Sequence, residues 1–135
     1  MECISARRDS INRSTKRQLG HYYETLACQY LQAQGLALVT RNSQCALGEI
    51  DLIMRDGECW IFIEVRYRHT GYFGLAETTV DWRKQRKILL TAINWLQSHS
   101  LNIHEVACRF DIFAITGNKY NWITNAFGLE IINNG

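Results

Sequence analysis

"GEIDLIMRDGECWIFIEVRYR", Gly48 to Arg68, decides how this chain is read. Two runs of alternating strand formers, Glu49 to Arg55 and Glu58 to Arg68, flank Asp56-Gly57, a dipeptide that favours a tight hairpin turn. A two-residue turn sets Arg55 opposite Glu58, Ile53 opposite Trp60, Asp51 opposite Phe62 and Glu49 opposite Glu64. Glu49, Asp51, Glu64 and Arg66 then share one face. Opposed Cβ atoms lie about 5 Å apart and the Asp51–Glu64 diagonal about 7 Å. A three-residue turn would change the parity and scatter the acids.

Like charges facing one another across a sheet are destabilising, and half-buried carboxylates cost several kcal/mol unless something neutralises them. Two compensations fit the composition. Arg66, with Arg41, Arg55 or Arg68, can form internal ion pairs. Alternatively, hard oxygen ligands one strand apart suit Mg²⁺ or Mn²⁺ and not zinc.

Working outward, Leu19, Tyr22, Tyr23, Leu26, Ala27, Tyr30 and Leu31 recur at helical spacing from Thr15, and Gly35 is placed to stop that helix. Glu24 sits at the border of its apolar stripe, near Gly20 and Ala27, whose small side chains permit close approach to a sheet. Leu36 to Thr40 reads as a short strand, and Arg41 to Leu47 as a polar loop. After the hairpin comes a glycine-bearing loop, "HTGYFG" (His69 to Gly74), and a second helix capped near Asp81. Trp82, Ile88, Leu89, Ala92, Ile93 and Leu96 form its apolar stripe, with Arg83, Lys84, Arg86 and Lys87 lying away from it. Val106 to Ile115 and Tyr120 to Thr124 read as strands joined at Gly117-Asn118. The order α-β-β-β-α-β-β predicts an α/β or α+β sandwich with a mixed sheet.

The chain of 135 residues, 47% hydrophobic, suits one domain. Residues 1–14 read as a basic flexible arm and 15–135 as the domain. No run approaches the roughly 18 apolar residues of a membrane span, and the start lacks a signal peptide's apolar centre. A cytoplasmic protein without membrane partners is expected. The five cysteines are scattered, without CxxC or Cys/His zinc spacing, as in a reducing compartment. The net charge of +2 conceals segregation: +3 over Met1 to Gly20, −4 over His21 to Val65, +4 over Arg66 to Lys87 and −1 beyond. Charge runs are ordinarily solvated faces, but an acidic centre between basic segments also suits a metal site beside a polyanion.

The series Glu24, Asp51 and Glu64-Val65-Arg66 resembles the PD-(D/E)XK nuclease signature, in which a helix gives Glu, a second strand Asp, and a third (Asp/Glu)-X-Lys. More closely, "GHYYETLACQYLQAQG" from Gly20, "RN" at Arg41, "GEIDLI" from Gly48, "FIEVRYR" from Phe62, "FG" at Phe73 and "RFDIFAI" from Arg109 resemble the YraN family of small bacterial proteins. The resemblance implies a restriction-endonuclease-like core, α-β-β-β-α-β, with an extra C-terminal strand, laid out like archaeal Holliday-junction resolvases.

It also implies a metal-dependent endonuclease using Mg²⁺ or Mn²⁺, on DNA ahead of RNA and on branched DNA in particular, with a homodimer compatible. Asp51, Glu64, the Val65 carbonyl and Glu24 would hold the metal, with Glu49 a ligand or behind the ligands. Arg41, Arg68, Arg83, Lys84, Arg86 and Lys87 would hold phosphates.

The chain departs from the signature at Arg66, where lysine is usual. Arginine stays charged and can stabilise phosphate charge without acting as a base. A nucleic-acid-binding module without cleavage is the alternative, and an interaction protein with a self-neutralised acidic face the third. Asp111 reads as structural, bonded to Arg109 or a loop amide. His69 could meet a phosphate; Tyr67, Tyr72 and Phe73 could stack on unpaired bases or anchor loops; Trp82 and Trp95 read as core or interface packing.

Overall fold

A computed structural model of the chain describes the backbone of residues 4–69 and 75–133, with side chains for 15–69, 75–77 and 79–132. The first helix, α1 (Ile4–Ala33), starts well before Thr15. The side chains of the basic arm assigned to 1–14 lie outside the described residues, as do Tyr72 and Phe73. α1 ends as expected at Gly35, φ 101°, where the Leu36 N–H donates back to the Leu31 carbonyl and satisfies one of the last free carbonyls.

Five strands follow: β1 (Ala37–Cys45), β2 (Gly48–Asp56), β3 (Cys59–Arg68), β4 (Cys108–Thr116) and β5 (Lys119–Phe127). They form one sheet in chain order. β3 and β4 are parallel and all other neighbours antiparallel. A parallel pair needs a long crossover. That crossover is a 3-10 turn at Ala76–Thr79 and α2 (Trp82–Ser98), and a four-residue helix, α3 (Glu130–Asn133), closes the described chain. The fold is α/β, a five-stranded mixed sheet flanked by helices.

Each face of the sheet buries its own core. Ala27, Leu31, Leu52, Met54, Ile63 and Phe113 lie between the sheet and α1; Ile53, Phe62, Ile88, Leu89, Ala92 and Phe110 lie between the sheet and α2. Asp81 caps α2, its carboxylate accepting the Lys84 N–H at 3.0 Å.

Three expectations need correction. The segment read as a polar loop, Arg41 to Leu47, is largely strand: β1 is an edge strand whose exposed side chains carry no apolar alternation. The hairpin turns at Gly57-Glu58, pairing Asp56 with Cys59 and Ile53 with Phe62. The register is therefore displaced by two residues, which preserves the parity of the faces. Trp82, placed in the apolar stripe of α2, is 52% exposed and so stands outside the core that Ile88, Leu89, Ala92 and Leu96 enter. Trp95 does pack, against Trp60 and Phe62.

Gly48 fixes the height of α2 over β2. A Cβ there would come within 3.0 Å of Thr91 Oγ1 and 3.7 Å of the Lys87 Cβ. The glycine that opens the acidic strand thus lets the basic helix approach it.

Candidate functional site

The site is built on a distortion of β2. Ile50 packs in the core under α2, Leu52 in the core under α1, and Ile53 again under α2. Strict alternation would put Ile50 and Leu52 on the same face, so the strand twists between them, at Asp51. The neighbouring strand is distorted beside it. Arg41 pairs with Leu52 and Ser43 with Ile50, but Asn42, between them, has φ 52°, the left-handed region that asparagine tolerates. The β2–β3 ladder likewise runs only as far as Leu52 and Ile63.

Three carboxylates converge there. One oxygen each of Glu24, Glu49 and Asp51 lies within 4.8 Å of the others. Glu24 reaches down from α1. The Asn42 side-chain amide lies against both acids; with its nitrogen assigned to the side facing these acceptors, it donates to Glu24 Oε2 at 2.8 Å and Glu49 Oε1 at 3.1 Å. Asp51 is held from beneath, its Oδ2 accepting the Val65 N–H at 2.9 Å.

Glu64 stands on the other side of Asp51. It is 3% exposed and buried against Asp51, and its Oε2 meets no N–H donor among the described residues. Its Oε1 has Arg66 Nε at 3.2 Å and Lys84 Nζ at 3.6 Å. The expected single face of Glu49, Asp51, Glu64 and Arg66 is thus divided: Glu49 and Asp51 cluster with Glu24 of α1, while Glu64 pairs with Arg66 and a lysine of α2. Asp51 bridges the halves.

The electrostatics follow from this crowding. Burial, followed by the charge of Asp51, pushes Glu64 up to about 8, against the pull of Lys84 and Arg66. Burial and Asp51 push Glu24 up to about 7, with Arg41 pulling the other way. Both carboxyls are thus biased toward their protonated form near neutral pH, Glu64 more than Glu24.

The basic residues distribute unevenly. Arg41 turns toward His21, with Nη2 3.3 Å from its carbonyl oxygen and 3.4 Å from its ring Nδ1. Arg66 and Arg68 line a cleft of about 410 Å³ at the C-terminal end of β3, with Val65, Tyr67 and Thr79. Lys87 lies over Gly48; Arg83 and Arg86 are exposed, and the Arg83 guanidinium is 5.2 Å from the centre of the Trp82 ring. His69 is exposed, while Tyr67 stacks on Tyr23 with ring centres 4.2 Å apart.

Asp111 is structural, as expected. Fully buried, it accepts Arg109 Nε at 3.1 Å, the Trp122 indole N–H at 2.9 Å and the Asn125 N–H at 2.9 Å.

Sequence reading missed two contributors. Asn42, inside the Arg41-Asn42 word, left its amide bonds unannounced, because its backbone conformation has no periodic signature. Lys84 was assigned only to phosphate, and its contact with Glu64 depends on how the crossover helix packs.

The chain matches the profile of "Uncharacterised protein family UPF0102" over residues 23–115. It is similar to a UPF0102 protein of Aliivibrio fischeri, 44% identical over 116 residues that cover 84% of this chain and 94% of the relative. A UPF0102 protein of Serratia proteamaculans is 43% identical, covering 86% and 99%. One from Yersinia pseudotuberculosis is 42% identical over the same shares.

Proposed function

The chain belongs to the UPF0102 (YraN) family, and from its carboxylate site we propose that it is a Mg²⁺- or Mn²⁺-dependent phosphodiesterase acting on nucleic acid, with a restriction-endonuclease-like core. The observation that carries this reading is the crowding of acids: Glu64, 3% exposed, lies against Asp51, which itself crowds two more carboxylates. Such an arrangement is costly for folding alone, and a hard divalent cation is the partner that carboxylate oxygens select.

Glu24, Glu49 and Asp51 would hold the ion, with Glu64 beside Asp51. A bound ion would polarise a phosphoryl oxygen and acidify a water. The protein's own groups do the rest. Asn42 and the Val65 N–H fix the acids in position. Arg66 and Arg68 line the cleft in which phosphate charge would be stabilised.

Lys84 answers the departure at Arg66. Its ammonium, 3.6 Å from Glu64 Oε1, reaches from α2 the carboxylate beside which the signature lysine would stand. It is the group able to orient the attacking water and pass a proton, roles closed to an arginine.

The ion pairs of Glu64 with Arg66 and Lys84 also favour a second reading, a nucleic-acid-binding module whose acids are neutralised internally. Cleavage of end-labelled single-stranded, duplex, flap and four-way-junction DNA separates the two. The proposal expects products with Mn²⁺, none with EDTA and none from Asp51→Asn; salt-sensitive binding without products in any metal would establish the second reading.

A further inference from the structure

Resting on the phosphodiesterase reading, the structure also points to the class of substrate. On the α1 side of the sheet lies a cleft of about 290 Å³, at the small end of ligand pockets. Tyr22, Tyr23 and Leu26 of α1 form one wall; Ile115, the Gly117-Asn118 turn and Tyr120 form the other. Tyr22 is 55% exposed and Tyr120 41%, so both rings present aromatic surface to solvent at its rim. Tyr23 stacks on Tyr67 within 20° of parallel, a rigid platform immediately beside Glu24 in the chain.

The cleft is tied to the arginines. Tyr67 lies between Arg66 and Arg68 in β3, and strand alternation sends its ring toward α1 and the two arginine side chains toward the opposite face. The Gly117 N–H donates to the Arg68 carbonyl at 2.8 Å, fixing the turn that walls the tyrosine cleft to the strand that lines the basic one. An aromatic slot and an arginine-lined cleft thus meet at the end of β3, the strand that also carries Glu64 two residues before Arg66.

We propose that the tyrosine cleft is a nucleobase subsite and that the substrate presents an unpaired nucleotide next to the scissile phosphate. A paired base is stacked inside its helix and cannot occupy one side of the sheet end while a neighbouring phosphate occupies the other; an unpaired one can, and aromatic stacking accepts any base. Asn118 supplies an amide for its polar edge. Single strands, flaps and open junctions qualify, and continuous duplex does not.

Fluorescence anisotropy of the full chain tests this in EDTA and in Ca²⁺, using a labelled oligothymidylate strand, the same backbone with abasic sugars, and a hairpin-closed duplex. The single strand is expected to bind about tenfold more tightly than the duplex, and the abasic strand to lose about tenfold, in line with the stacking contribution of one base. Tyr22→Ala, on an exposed ring, should lose the same factor for the normal strand and nothing further for the abasic one. The abasic comparison uses unaltered protein, so it stands even if the variant misfolds. Equal binding of single strand and duplex, or an abasic strand bound as well as a normal one, overturns the base subsite. If duplex is nonetheless cut with metal, the subsite alone falls; if no nucleic acid binds, both readings fall.

Discussion

Lys84 of α2 and Glu64 of β3 meet across the crossover, ammonium nitrogen 3.6 Å from Oε1, although nineteen positions of the chain and a 3-10 turn separate them. The lysine enters on a different element from the arginine that follows Glu64 in sequence. If Lys84 handles the water and Arg66 the phosphate charge, Lys84→Met lowers the cleavage rate by about 10²- to 10³-fold with little change in nucleic-acid affinity. Arg66→Gln should instead weaken binding and rate together. Single-turnover cleavage with parallel binding measurements checks this, and an unchanged rate in Lys84→Met would return the catalytic role to Arg66.

The pH dependence of stability has a definite sign. Glu64 and Glu24 titrate higher in the folded protein, near 8 and 7, than the ordinary 4.5, so the native state holds more protons than the unfolded chain across that interval. Stability of the metal-free protein is therefore full below about 4.5 and falls as pH rises toward 8, with Glu64 contributing on the order of 2–4 kcal/mol. Urea midpoints at pH 5 and pH 8 in EDTA measure it. Excess Mn²⁺ should restore the loss at pH 8, because the ion then takes the place of the protons.

Asp51→Asn should trade function for stability. It removes the charge that raises both neighbours while leaving an oxygen to accept the Val65 N–H. Relief of about 1 kcal/mol corresponds to about 3–6 °C in Tm for a chain of this size at pH 8 in EDTA. The same variant should show no thermal shift with Mn²⁺. A lower Tm in EDTA would mean that Asp51 is chiefly a structural acceptor.

Asp111 makes the contrasting case. Asp111→Ala strands the Arg109 guanidinium, the Trp122 indole N–H and the Asn125 N–H, and is expected to cost about 3–5 kcal/mol. Denaturant unfolding reads the loss, and Mn²⁺ affinity of the folded fraction should be unchanged. A buried aspartate with every oxygen occupied is structural, and Asp111 therefore sets the baseline against which the proposed role of Asp51 is read.

What the sequence made legible, and what it hid, divides along physical lines. The hairpin's parity was readable because a period of two survives a displacement of two residues, even though the turn lies at Gly57-Glu58. Gly35, Asp81 and Gly117-Asn118 were readable because cap and turn chemistry is local. β1 was hidden by its exposed edge, where no apolar alternation is required. The division of the acids between the two sheet faces was hidden too. It follows from the twist at Asp51 and the left-handed Asn42, which pattern alone does not encode. Glu24 could be placed near the sheet from its helical position, but its bonds to Asn42 could not.

The most direct test of the central claim, that these carboxylates form a divalent metal site, is Mn²⁺ titration calorimetry at pH 7 in two buffers of different ionisation enthalpy. The account predicts saturable binding that releases about one proton per ion, since Glu64 and Glu24 hold protons there that the metal must displace, and no binding by Asp51→Asn. Absence of Mn²⁺ binding by the wild-type protein, or binding of equal strength by Asp51→Asn without proton release, would contradict it.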